Sequence, residues 1–313
     1  MIAVAVGLGA LALTLAWPIP VVLSRAAWPA HSPAVALALW QAIAVAGGVS
    51  MIGCLLVFGA SPAGSLMGAW HALVPALFTG PIPAEFGVVH LAALTLAAGL
   101  AAHLALNLAL TAVRAERERR RQHQLVALLG DPMPGQPHTR VLAHPAPLAY
   151  CVPGIRTATV LTDGLIDALS PDELAAVIAH ERAHLDQLHH LVLLAFRAWH
   201  SALPWFPIAN RAERSVILLA EMLADDRARR AAGDDALRGA LLVVGEGGPG
   251  GYGDETVIAD ADMLAARLDR LDVVPAASSS TAMPRMLVLG ASALLLLVPL
   301  AAYTAVLADH PAG

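Results

Sequence analysis

The 313-residue sequence predicts a mainly α-helical integral membrane protein: four transmembrane helices joined to a cytoplasmic α+β domain. Three observations predict this. Apolar residues make up 58% of the chain and the mean hydropathy is +0.66, whereas soluble domains are about 45–50% apolar. Four stretches reach the roughly 20 apolar residues that a helix needs to cross the hydrocarbon core. Charged residues are only 14% of the chain and gather between the third and fourth of those stretches.

Region 1–113 reads as three membrane helices. Stretch 1–23 carries no charged side chain and has Pro18 and Pro20 near its end. No basic segment precedes it and no cleavage site follows, so a retained helix is expected rather than a signal peptide. Stretch 34–60 is also uncharged, as is 87–113 with His90 and His103 neutral. The fourth helix, 286–307, lies in region 284–313 and is expected to leave a short extracellular tail. All 19 basic residues are Arg. Arg114, Arg117, Arg119, Arg120 and Arg121 follow the third span at once, while the 61–86 loop holds none. The positive-inside rule then puts the Arg-rich segment in the cytoplasm and the 61–86 loop outside. The expected location is the plasma membrane, multi-pass, with the lipid bilayer as one partner.

Region 114–283 is long enough for one small domain. Its 131–147 segment is Pro-rich and reads as a loop, and 158–162 is a β-branched strand ended by Asp163-Gly164. Ser170-Pro171-Asp172-Glu173 is a helix start with a capping box, and that helix runs through His184. Asn210 with Glu213 repeats the signal for a second helix ending near Gly233. Stretch 245–253 is Gly-rich and reads as a flexible loop, and 259–271 as an amphipathic helix. Between the two helices, 188–207 is apolar and aromatic, with Phe196, Trp199, Trp205 and Phe206, but is broken by Arg197 and His200. A full span there would put the flanking helices on opposite sides of the bilayer, so an interfacial or re-entrant helix is expected.

The chemistry concentrates in His180-Glu181-Arg182-Ala183-His184. Residues four apart share a helix face, so both imidazoles can reach one Zn²⁺. Glu181 follows the first histidine and can take a proton from a water that zinc acidifies. A catalytic zinc wants a third protein ligand and an open position. Glu221 in Glu221-Met222-Leu223-Ala224-Asp225 is the candidate, and Asp225, one turn on, can accept the other N–H of a ligand histidine. The expected cofactor is one zinc ion.

Blander readings compete at each position. A lone His-x-x-x-His is often a solvated helix face, and only the second helix with its Glu/Asp pair outweighs that here. Arg182 points off the metal face. His189 and His190 are out of phase with His184 and read as surface or interface residues. His90 and His103 read as packing or hydrogen-bonding groups within a span. Cys54 and Cys151 lie too far apart in sequence and context to suggest a disulfide framework, and Cys151 reads as a small core residue. A net charge of −5 argues against direct nucleic-acid binding.

Ala149–Gly154, Thr159–Leu165, Leu169–Leu174, His180–Leu185 and Glu221–Asp225 together resemble the BlaR/MecR-type membrane metallopeptidases, gluzincin relatives of HtpX and the CAAX prenyl proteases. The likeness covers roughly residues 114–232. It implies a gluzincin-like zinc peptidase domain in which His180, His184 and Glu221 bind zinc and Glu181 is the catalytic base. It also implies that Tyr150 and segment 158–162 form edge-like strands by the cleft, where an extended peptide can add. The implied activity is endopeptidase cleavage of a cytoplasmic or membrane-proximal protein, with a BlaI-like winged-helix repressor as the implied partner. HtpX-like quality control and a non-catalytic signalling scaffold are the alternatives. The sequence departs from BlaR-type sensors: no sensor domain is expected after the fourth span, and without Lys there is no Ser-x-x-Lys acylation motif. For the oxyanion, Tyr252 and Arg227 are the weak candidates.

Overall fold

The computed structural model describes residues 1–136, 138–154, 157–204, 207–246, 261–272 and 282–307. The first predicted span is two helices, α1 (Ile2–Ala16) and α2 (Pro18–Arg25), meeting at Trp17. Pro18 removes a helical N–H and breaks the ladder there. After α3 (Trp28–His31), α4 (Pro33–Gly59) matches the second span. The 61–86 segment is not all loop: it contains α5 (Leu66–Thr79), opened by Ser65 accepting from the Gly68 N–H. The third predicted span is the first part of α6, one helix over Val88–Leu129 that carries the Arg cluster. Glu116 pairs there with Arg119 and with Arg120, the i,i+3 and i,i+4 pairing that supports a charged helix in water. Four helical segments are long and apolar enough to cross a membrane: Ile2–Arg25, Pro33–Gly59, Val88–Leu129 and Arg285–Leu307.

A small sheet follows: β1 (Gly130–Pro132), β2 (Thr139–Leu142), β3 (Ala149–Val152) and β4 (Ala158–Thr162), in the order β1-β2-β4-β3. β2 and most of β1 fall inside the 131–147 segment that reads as a loop. Three-residue and four-residue strands among prolines carry too little alternation to be visible. β4 runs parallel to β2 and antiparallel to β3. It is therefore interior, correcting the expectation of an edge; β3, which holds Tyr150, is an edge strand of the sheet.

The remaining helices are α7 (Asp163–Ala168), α8 (Pro171–Asp186), α9 (His189–Ala202), α10 (Pro207–Ala232), α11 (Asp234–Glu246), α12 (Ala261–Asp272) and α13 (Ala282–Leu307). α8 starts on the Ser170–Glu173 capping box read in the sequence. α10 starts earlier than its predicted cap. Proline is favoured in a helix's first turn, so the helix begins at Pro207 and Asn210 lies within it. Glu213 turns instead to His200, 2.5 Å away, and Arg197, 3.9 Å away, both on α9. Most of the Gly-rich 245–253 stretch lies outside the described residues.

Two apolar clusters position the site. Val177 and Ile178 of α8 pack with Ala149 and Leu161 of the sheet and Ala240 of α11. In the other, Leu15, Leu37, Trp40 and Ile43 of the candidate spans close over Leu193 and Phe196 of α9 and Ala212, Val216 and Leu219 of α10. One face of α10, at Ala212, Val216 and Leu219, is thus buried against the candidate spans. α9 also docks on α6: His103 Nε2 lies 3.1 Å from the Ala202 carbonyl, and Asn107 donates to the Ala198 carbonyl and to Ser201. Gly48 of α4 makes room for α9, since a Cβ there would sit 2.8 Å from the Trp199 ring.

Candidate metal centre

α8 and α10 each supply one side of the site. On α8, His180 and His184 are both buried, and their Nε2 atoms are 3.1 Å apart. On α10, Glu221 Oε2 lies 3.3 Å from His180 Nε2, and Oε1 lies 3.4 Å from His184 Nε2. The three side chains offer ligand atoms all within 4.8 Å of one another. Bonds of about 2.0–2.1 Å to a tetrahedral zinc put its ligand atoms about 3.3 Å apart. The two imidazole nitrogens stand about that far apart, and each Glu221 oxygen lies about that far from one of them, so a single ion can draw on all three side chains. Two imidazoles and a carboxylate with a fourth position open is also the donor set of a catalytic zinc. The residues present fit that ion.

Asp225, almost fully buried, brings Oδ1 to 3.0 Å from His180 Nδ1, although the ring N–H is not aimed straight at the oxygen. Its carboxylate also receives a bidentate pair from Arg267, Nε to Oδ2 at 2.8 Å and Nη2 to Oδ1 at 2.7 Å. Arg267 Nη1 reaches Glu221 Oε2 at 3.1 Å as well. One guanidinium of α12 thus clamps both carboxylates that α10 brings to the site, a role for which Arg's planar fork is suited.

The electrostatics follow from burial and these contacts. Burial alone would push His180 down, but Asp225 and Glu221 overturn that and hold it up at about 10. His184, desolvated and helped only in part by Glu221, is pushed down to about 3. Glu221 and Asp225 lose hydration, yet neighbouring imidazole and guanidinium groups hold both below the usual carboxylate range. For Glu221 these are His184, Arg267 and His180; for Asp225 they are Arg267 and His180. Glu181 differs: desolvation raises it to about 7, against the opposing pull of His180. A carboxyl poised near neutrality suits general base work at neutral pH. The buried Cys151 thiol of β3 lies close enough to this carboxyl to lower it slightly, so Cys151 borders the site as well as filling core.

Two contributors escaped the sequence reading. Arg267 sits on the apolar stripe of α12 formed by Leu264, Leu268 and Leu271, all packed in one cluster. A lone charge on such a stripe signals a buried partner. His189 reads as out of phase only if α8 continues past Asp186. Instead Leu188 takes a left-handed conformation (φ 53°, ψ 34°) and turns the chain. His189 is buried, with Nδ1 2.9 Å from His184 Nδ1. Of the oxyanion candidates, Arg227 faces Asp186 at 3.7 Å on the exposed side of α8, and Tyr252 lies outside the described residues. Arg182 donates to Gln136 and turns away from the cluster.

Residues 112–224 match the model of peptidase family M48. The match supports an M48 family metallopeptidase, and peptidases of that family are zinc-dependent. It includes the strands and α8 and ends just past Glu221. Neither the curated proteins nor the solved structures give a match. The match covers less than half of the 313-residue chain, and the donor triangle within and just beside α8 has the ligand set of a zinc peptidase.

Proposed function

We propose that this chain is a membrane-bound zinc endopeptidase that cuts a cytoplasmic or membrane-proximal protein. The observation that carries the reading is the triangle of His180, His184 and Glu221 with the carboxyl of Glu181 beside it. Zinc, when bound, polarises the scissile carbonyl and acidifies the attacking water. His180, His184 and Glu221 hold the ion. Glu181 takes the proton of the attacking water and passes it to the leaving amine, a shuttle favoured by its value of about 7. Asp225, fixed by Arg267, steadies His180 and increases its basicity. β3, at the sheet edge and packed beside Glu181 through Cys151, is where an extended substrate adds as a further strand.

The membrane location rests on the four apolar helices, and the cytoplasmic side on the Arg cluster of α6. The BlaR-type resemblance makes a winged-helix repressor the substrate class of first choice. HtpX-like quality control is the second reading, supported by the match to the M48 family model. Cleavage assays with the purified full chain, on a soluble repressor and on an unfolded membrane protein, separate the two. In either assay Glu181→Gln is expected to keep its zinc and lose at least about 100-fold in kcat. Cleavage by that variant at the wild-type rate would remove Glu181 from the mechanism.

A further inference from the structure

We propose that His189 is a positioning residue of the metal centre, acting through His184. The inference rests on the zinc reading above and names the group that sets the second histidine. His184 turns Nε2 toward His180 and Glu221. A histidine that offers Nε2 to a cation carries its proton on Nδ1, and that N–H needs an acceptor. The atom facing it, at 2.9 Å, is His189 Nδ1. His189 Nε2 in turn lies 3.0 Å from Gln187 Oε1, an acceptor that requires a proton on Nε2. The network therefore has one consistent reading: His184 donates to His189, and His189 donates to Gln187. The two rings meet edge-on, 4.9 Å between centroids and 81° between planes, so the contact fixes tilt as well as tautomer. His189 is only 1% exposed, which leaves little room for water to compete as the acceptor.

The backbone gives an independent indication. Leu188 is one of two non-glycine residues with positive φ among the described residues. The left-handed region is unfavourable for a leucine side chain, and strain of this kind clusters at functional sites. Here Leu188 lies two residues past Asp186, the last residue of α8, and swings His189 back onto His184. The two ligand histidines are thus backed differently. His180 faces a carboxylate tied to a guanidinium, whereas His184 faces a neutral imidazole.

The test uses the full-length chain in detergent, with zinc affinity read by chelator competition and the site geometry by the visible bands of the Co²⁺-loaded protein. His189→Leu fills similar space without an acceptor, and it is expected to weaken zinc 10- to 100-fold, the range for removing such a hydrogen-bond partner, and to shift the Co²⁺ bands. His189→Asn places an acceptor near the position of Nδ1 and is expected to stay close to wild type in both readouts. Wild-type zinc affinity in His189→Leu would overturn the proposal, as would an Asn variant as weak as the Leu variant, which would make the role one of shape. A wild-type chain that binds no zinc would instead overturn the metal reading on which this role rests.

Discussion

At the scale of single residues, the two histidines of α8 are opposites before any metal arrives. Asp225 and Glu221 keep His180 protonated up to about 10, while burial keeps His184 neutral down to about 3. With Glu181 ionised, three carboxylates face the two cations His180 and Arg267, a net charge of −1. Replacing the His180 proton by a divalent ion brings the cluster to neutrality, the ion and Arg267 together balancing the three carboxylates. Metal and proton therefore compete for His180. Because its value is raised, the competing proton is present at pH 8 and lost only as pH rises through about 10, so zinc affinity climbs with pH up to that point. At pH 8, above the Glu181 value of about 7, binding is expected to release about one proton. Calorimetric titrations in buffers of different ionisation enthalpy measure this directly; a zinc-binding heat independent of the buffer would contradict the assignment of His180.

At the scale of elements, local chemistry made some parts legible and hid others. Ser170 and Glu173 read as a capping box because both partners lie within four residues, and the structure holds that box. Ser170→Ala is expected to cost about 1 kcal/mol of stability, visible as a lowered Tm with zinc affinity little changed. A Tm unaffected by the substitution would mean that α8 is fixed by its packing on the sheet alone. The second cap failed because Pro207 offers an earlier start and Glu213 finds better partners on α9. His189 was lost to the assumption of continuous helical phase, which one backbone residue, Leu188, breaks. Arg267 was legible in principle as a charge on an apolar stripe, but its partners lie 42 residues or more away in sequence, and no local pattern names them. β1 and β2 are too short and too rich in proline to show any period.

At the scale of the molecule, the site and the apolar helices share one core. α10 packs Ala212, Val216 and Leu219 among the candidate spans and presents Glu221 less than a turn further on. α12 adds a second link: Arg270 donates to the Ala30 carbonyl between α2 and α4, to the Met222 carbonyl and to Asp226. The sequence pattern marks the candidate spans and the motif but not their contact, which depends on residues far apart in the chain. The Arg cluster of α6 predicts the side on which the site works. A location reporter fused after residue 136 is expected to report cytoplasm, and one inserted at Gly64 the outside; the reverse pattern would overturn the orientation.

The central claim is that His180, His184 and Glu221 grip a single ion. Metal analysis of the purified full-length chain, beside His184→Ala and Glu221→Ala, tests it most directly. One zinc per wild-type chain, lost or greatly weakened in both folded variants, is the predicted result. A wild-type chain without zinc after exposure to it, or variants that retain it as tightly as wild type, would contradict the claim.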